Sequence, residues 1–244
     1  SFKSKMNNII IWGKSKKTDD YNLTAKNIIS VEDGFVRSVG LGGNLYPPYS
    51  LLFDKKGIHF DASKTSDLED LLQKTIVEEN ELIRSRELID LIIKSNISKY
   101  NLKFENQVKI PSNSKSKDII AVLGQVETDN SILYGVPEDT ISKTNFSLVK
   151  QVKRDYPNAF VIYKPHPDVD ARLRAKGNKE NAIKEVADFV AHKTSLEDIF
   201  NSVNKVAVFT SLGGFEALIR GVSVITYGLP FYAGWGLTED RLYN

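Results

Sequence analysis

The sequence predicts an α/β protein built as two Rossmann-like lobes, with mostly parallel sheets facing each other across a cleft. Three observations carry that prediction. Short β-rich runs alternate with stretches of three- and four-residue apolar spacing, the pattern of βαβ units. The alternation starts twice, at Asn8–Trp12 and again at Asp118–Leu123. Between the two starts lies Pro111–Lys117 (PSNSKSK), polar, aperiodic and of linker composition. The lobes are expected over residues 1–112 and 118–244.

In the first half, Asn8–Trp12 reads as a strand and Ile28–Val31 as a second, running into Glu32-Asp33-Gly34-Phe35. Ser50–Asp54 and Ile58–Asp61 flank Lys55-Lys56-Gly57 and read as a hairpin-like pair. Asp67 is expected to cap a helix carrying Leu68, Leu71, Leu72, Ile76, Leu82 and Ile83, with a further helix through Leu88, Leu91 and Ile92. After Asp118–Leu123 the order is helix near Phe146–Tyr156, strand Phe160–Tyr163, helix near Asn181–Phe189, and helix Ser195–Asn201. Strand Val206–Phe209, helix Gly214–Arg220 and strand Ser223–Thr226 complete it. Such an order favours a parallel sheet with right-handed crossovers, whose ligands lie at the carboxyl ends of the strands.

Composition bounds the function. The 244 residues carry 33 Lys plus Arg against 31 Asp plus Glu, a net charge of +2, too balanced to point to nucleic acid. With no cysteine, disulfides and thiolate metal sites are excluded, and a reducing cytoplasm is permitted. No apolar run approaches the roughly 18–20 residues that span a bilayer. The N-terminus lacks the cleavage pattern of a signal peptide. The chain opens on Ser1 and stops just after Asp240, as expected of one piece cut from a longer protein. Three scattered histidines without a carboxylate cluster give no metal site, and His59 and His192 are read as structural.

Five segments could carry chemistry. Val206–Arg220 (VAVFTSLGGFEALIR) runs from an apolar strand through Ser211, Gly213 and Gly214 into a helix. The glycines permit close backbone approach, the helix terminus offers free N–H groups to a phosphate, and Glu216 could accept from ribose hydroxyls or a base. Ordinary small-residue packing fits the same residues. In Tyr163–Asp168, a strand ends at Lys164 and two prolines pin His166 at its edge, so both side chains can face a phosphate. Gln125, Glu127 and Asp129 follow the first strand of the second half and could serve as a nucleophile or sugar-hydroxyl acceptors, but on these residues alone a solvated, capped turn is the favoured reading. Glu32, Asp33 and Arg37 hold the matching place in the first half, where a turn with surface charges also fits. Tyr227–Thr238, which includes Tyr232, packs three glycines, a proline and four aromatics into twelve residues, suited to stacking on a base or sugar or to packing between lobes.

Together these motifs resemble the KpsC/LipA family of capsule polysaccharide β-Kdo transferases. The matching segments are IIWG at Ile10–Gly13, VEDGFVRSVGLG at Val31–Gly42, PPYSLLFDKKGIHFDAS at Pro47–Ser63 and SKYNL at Ser98–Leu102. They continue with GQVETDNSI at Gly124–Ile132, YKPHPDV at Tyr163–Val169, TSLGGFEALIRG at Thr210–Gly221 and YGLPFYAGWGLTED at Tyr227–Asp240. The resemblance implies a GT-B-like fold and transfer of Kdo, an acidic eight-carbon ketose, from CMP-β-Kdo to a Kdo-terminated lipid or oligosaccharide acceptor. It implies retention through double displacement, without a metal or other cofactor, with Asp129 as nucleophile and Glu32 as acid/base carboxylate. His166, Ser211 and Glu216 fall on the CMP side, and Arg37 or Lys164 would hold the sugar's carboxylate. A cytoplasmic enzyme, peripheral at the inner membrane and near capsule-assembly machinery, is implied. GQVETD resembles the C-terminal of the two modules that longer relatives carry. The competing expectations are a transferase or epimerase for another nucleotide sugar, and a non-catalytic nucleotide- or glycan-binding module.

Overall fold

A computed structural model describes residues 8–14, 27–104 and 118–242. The expected linker and the boundary between residues 112 and 118 fall outside the described residues. The strands form two separate sheets.

The first sheet has the order β1-β2-β3, with β1 at Asn8–Trp12, β2 at Asn27–Asp33 and β3 at Leu51–Asp54. β1 runs parallel to β2, but β3 pairs antiparallel with β2, Asp33 opposite Leu51. The expected hairpin between residues 50–54 and 58–61 is therefore not formed. Asp54 is the reason: its buried carboxylate accepts from the backbone N–H groups of Lys56, Gly57 and Asp67. The chain wraps around that carboxylate instead of pairing with itself.

Helix α1 (Asp67–Lys74) is capped by Ser66, whose hydroxyl accepts from Glu69 N–H at 3.0 Å. Asp67, the expected cap, occupies the first helical position, where its charge suits the helix dipole. Helix α2 (Glu79–Lys94) starts at a capping box of Glu78 and Glu81. It unites Leu82, Ile83, Leu88 and Leu91, which the spacing had divided between two helices. Neither helix buries a residue, and Leu71, Leu82, Ile83, Leu88 and Leu91 stand exposed.

The second sheet has six parallel strands in the order β6-β5-β4-β7-β8-β9. They are β4 (Ile119–Leu123), β5 (Phe160–Lys164), β6 (Phe189–Val190), β7 (Lys205–Val208), β8 (Ser223–Thr226) and β9 (Glu239–Asp240). Alternation along β4 divides the core: Ile120 and Val122 pack on one face with Leu148 and Val152, Ala121 and Leu123 on the other with Ile199 and Ala217. Helices α3 (Asn130–Gly135), α4 (Asn145–Asp155), α5 (Pro167–Asp170), α6 (Leu196–Phe200) and α7 (Leu212–Leu218) cover the sheet.

The helix expected near 181–189 is a 3-10 turn over Glu180–Glu185 followed by β6. Buried Glu180 anchors it by accepting from Tyr163 Oη and from Gly177 N–H. The chain leaves β4 outward through β5 and β6, then returns to the other side of β4 at β7. That reversal opens a crevice at the carboxyl ends of β4 and β7, where α/β sheets bind ligands.

Candidate functional site

A cleft of about 220 Å³ lies at that crevice, lined by both halves of the chain. The second half supplies Gly124, Gln125, Asp129 and Ser131 after β4, Lys164–Pro167 after β5, and Thr210–Gly213 after β7. The first half supplies Glu32–Phe35, His59 and Phe60. The segment Asn96–Leu102 lines it as well, through Asn96, Ser98, Lys99, Tyr100 and Leu102.

Eight of the thirteen residues singled out in the sequence line this cleft: Glu32, Asp33, Gln125, Asp129, Lys164, His166, Ser211 and Gly213. Asp129 caps α3, accepting from Ser131 N–H at 3.3 Å, and is exposed at the cleft. Glu32, at the end of β2, faces it from the other half. Burial raises the Glu32 carboxyl above its usual value; the N–H of Asp33 opposes this, while the charges of Asp33 and Asp129 reinforce it. Glu32 is therefore biased toward holding a proton.

His166 is held by its own loop. Its Nδ1 accepts from Asp168 N–H at 3.2 Å, which leaves Nε2 as the protonated nitrogen. Burial, with Lys99, Lys164 and Arg174 nearby, pushes its pKa down to about 3. The ring is thus a neutral hydrogen-bond donor at pH 7. Lys164 is buried, its ammonium donating to the Pro165 carbonyl at 3.0 Å, and burial lowers its pKa to about 8. The charge of this loop therefore sits on Lys164.

Gln125 fastens the crevice. Its Oε1 accepts from Thr210 N–H at 3.0 Å and its Nε2 reaches Thr210 Oγ1 at 3.2 Å, bridging the loops after β4 and β7. Ser211 caps α7 by accepting from Gly213 N–H. A Cβ on Gly213 would press on Leu123 Cδ1, and one on Gly214 would overlap the Tyr232 hydroxyl. Protein atoms behind the loop thus crowd both glycines, most tightly the Tyr232 ring at Gly214. Tyr232 is buried and donates to the Ser211 carbonyl, so it braces the cap from behind.

Five of the singled-out residues lie off the cleft lining: Glu127, Arg37, Gly214, Glu216 and Tyr232. Both oxygens of Glu127 are taken by backbone N–H groups, Asn145 at 2.8 Å and Asn178 at 2.7 Å, which makes it a loop staple. Arg37 is buried and spends its guanidinium on Asp33, Ser38 and the Tyr46 carbonyl. Glu216, also buried, accepts from Lys99 N–H at 2.7 Å through Oε1, whereas Oε2 has no partner among the described residues. Burial raises its carboxyl pKa, and that N–H and the nearby cations limit the rise.

Sequence reasoning gave His59 and Lys99 no site role, and took in Phe35 and Phe231 only as members of longer segments. Phe35 stacks on Phe231 at 5.0 Å between ring centres, 7° from parallel, joining the two halves. His59 meets both rings edge-on, and burial, aided by Lys99, lowers its pKa to about 4. A lone histidine gave no signal in sequence. The SKYNL segment stood out only as a motif, without a role for Lys99.

Among the described residues no group of three or more potential ligands could hold a metal, and no helix is long and apolar enough to cross a membrane. The sequence matches the capsule polysaccharide biosynthesis protein family over residues 7–244. The chain belongs to this family. It is 39% identical to the capsule polysaccharide modification protein LipA of Neisseria meningitidis serogroup A over 239 residues, 96% of this chain and 33% of LipA. It is 38% identical to the lipopolysaccharide-processing protein LpsZ of Rhizobium meliloti, covering 95% of this chain and 53% of LpsZ. The chain therefore spans about a third of LipA and about half of LpsZ. Among solved structures, it resembles the β-Kdo 2,7 transferase of Thermosulfurimonas dismutans KpsC with a TM-score of 0.76 and 36% identity, covering 97% of this chain and 70% of that one. The β-Kdo 2,4 transferase of the same KpsC gives a TM-score of 0.77 and 30% identity, covering 96% and 72%. The family's α/β, GT-B-like architecture is thus the fold of this chain.

Proposed function

We propose that this chain is a glycosyltransferase module that moves Kdo from CMP-β-Kdo to a Kdo-terminated lipid or oligosaccharide with retention of configuration. The observation that carries the reading is the convergence of Asp129 and Glu32, from opposite halves, on a cleft whose floor holds Lys164, His166 and the Ser211–Gly213 turn. KpsC, to which the chain is similar, is named as a β-Kdo transferase, and this supports the choice of sugar.

In this reading the cytidine half lies over the second sheet. The unpartnered Glu216 oxygen accepts from ribose, and Lys164, the His166 Nε2–H and Ser211 face the phosphate. Asp129 attacks the anomeric carbon as the bond to the phosphate oxygen breaks, and CMP departs with the electron pair. A phosphate monoester is a good leaving group, so positive charge and hydrogen bonds suffice in place of a proton donor. The acceptor hydroxyl then attacks the same carbon and releases Asp129 as a carboxylate, while Glu32 takes the hydroxyl proton. Two inversions give net retention. The reading requires no metal, and it places the module at the cytoplasmic membrane face through its acceptor, near the capsule-assembly machinery.

The reading is tested by ligand-induced thermal stabilisation followed by transfer. CMP should raise the melting temperature and UDP should not, and CMP-Kdo should be consumed equally with and without EDTA. Stabilisation by UDP alone would turn the reading toward a uridine-nucleotide sugar enzyme. Binding of CMP with no turnover of CMP-Kdo on any Kdo-terminated acceptor would favour a non-catalytic module.

A further inference from the structure

An acidic sugar entering this cleft meets Glu32, Asp33 and Asp129, all of like charge, so it needs a cation beside them. Of the cations singled out in the sequence, Arg37 is committed to Asp33 and Tyr46, and Lys164, which donates to the Pro165 carbonyl, is assigned to the phosphate in the proposed reading. Arg220 also lines the cleft, but donates to the carbonyls of Glu216 and Ile97. Lys99 remains. Its ammonium lies 5.3 Å from the centre of the Tyr100 ring, hydrogen-bonds the Tyr100 hydroxyl, and enters none of the ion pairs among the described residues. Burial opposes its charge, but Tyr100, Asp129, Asp33 and Glu32 outweigh burial and hold it protonated above the usual lysine range.

Lys99 is also held in an unusual way. The segment Asn96–Leu102 is gripped from both halves of the chain. On one side Arg37 N–H and Ser38 N–H donate to the Lys99 carbonyl at 2.9 and 3.1 Å, and Gly40 N–H donates to the Tyr100 carbonyl at 2.9 Å. On the other side Glu216 accepts from Lys99 N–H at 2.7 Å, and Arg220 donates to the Ile97 carbonyl at 2.7 Å. The backbone of Lys99 is thereby fixed to the buried Glu216 carboxylate, which the proposed reading assigns to ribose.

We propose that Lys99 is a specificity-determining residue that receives the carboxylate of the donor sugar. It offsets the repulsion between that carboxylate and Asp129, and its backbone bond to Glu216 sets its distance from the nucleotide. An uncharged sugar would leave the ammonium without its counterion, so the same residue selects acidic donors. The assignment rests on the donor being CMP-Kdo.

The test compares wild type, Lys99→Met and Lys99→Arg, with CMP affinity measured by calorimetry and CMP-Kdo turnover by nucleotide release. Loss of one charge-assisted contact predicts a fall in kcat/KM of about 30- to 100-fold for Lys99→Met. CMP, which has no sugar carboxylate, should bind Lys99→Met within about twofold of wild type. Lys99→Arg should recover part of the turnover. Equal losses of CMP affinity and turnover would make Lys99 a pin for the segment and overturn the assignment, as would unchanged turnover in Lys99→Met. If the wild-type chain neither binds CMP nor consumes CMP-Kdo, the donor reading itself fails, an outcome separable from either variant result.

Discussion

Replacing Glu216 with Gln should stabilise the protein and weaken nucleotide binding in the same variant. The buried Glu216 carboxylate keeps one oxygen on Lys99 N–H at 2.7 Å and leaves the other without a partner among the described residues. A buried polar atom without a partner costs about 1–3 kcal/mol, more when the group is charged. Gln has the same shape and can keep the bond to Lys99 N–H, but its amide nitrogen inherits the unpartnered position. Relief is therefore partial, about 1 kcal/mol, or a rise in melting temperature of about 2–4 °C for a chain of this size. The pH dependence follows from the raised carboxyl pKa. Near and above the ordinary glutamate value of 4.5 the folded state binds more protons than the unfolded one, so wild type loses stability as pH rises through that window. The gain in the variant should accordingly be present at pH 7 and shrink as Glu216 protonates at lower pH. Ribose hydroxyls donating to a neutral amide in place of a carboxylate would lose about 1–2 kcal/mol, or about 5- to 30-fold in CMP affinity. Scanning calorimetry at pH 5 and pH 7, with and without CMP, reads both effects. A variant less stable at pH 7, with an undiminished CMP shift, would refute the account of this carboxylate.

Three further outcomes follow from the same geometry. Gly214→Ala should cost about 1–3 kcal/mol in denaturant unfolding, because its Cβ would overlap the Tyr232 hydroxyl, and Tyr232→Phe should recover part of the loss. Donor affinity should fall as pH rises through about 8, where Lys164 loses its proton, and Lys164→Met should flatten that limb of the CMP-binding profile. His59 and His166, lowered to about 4 and about 3, bind protons later than their unfolded counterparts near 6.5. Stability should therefore be complete above pH 6.5 and decline as pH falls toward 4, by on the order of 1.4 kcal/mol per histidine for each unit separating folded and unfolded values. Glu32 and Glu216, whose carboxyls are raised, act in the opposite sense, so His59→Gln and His166→Gln should each flatten the acid slope of melting temperature against pH.

Strands β4, β5, β7 and β8 of the second sheet were legible to within a residue because each is a short apolar run bounded by polar loops, whereas β6 and β9, two residues each, carry no such run and were not read as strands. The partner of β3 was not, because Asp54 redirects the chain through backbone N–H groups as distant as Asp67. The apolar spacing over α1 and α2 was read as helical, but the break between the helices was misplaced, and spacing reports amphipathicity and not what covers it. Leu71 and Leu91 are 61% and 54% exposed, so these helices bury no apolar stripe within the described structure. At the site, topology placed the loops bearing Asp129, His166 and Glu32 at strand ends that line the cleft, but only the family resemblance, not topology, singled out Asp129 and Glu32 from the charges of an ordinary turn. Side chains turned inward to staple those loops, Glu127 and Arg37, carry the same residue types and could not be told apart in sequence. Lys99 shows the converse. Its importance comes from carboxylates more than twenty positions away in the chain, visible only after folding.

The measurement closest to the central claim is mass spectrometry of the protein mixed with CMP-Kdo and no acceptor. The account predicts a Kdo ester that forms as CMP is released, maps to the peptide bearing Asp129, and disappears when acceptor is added. Asp129→Ala should show no adduct while still binding CMP. Full transfer by Asp129→Ala, or an adduct on any other carboxylate, would contradict it.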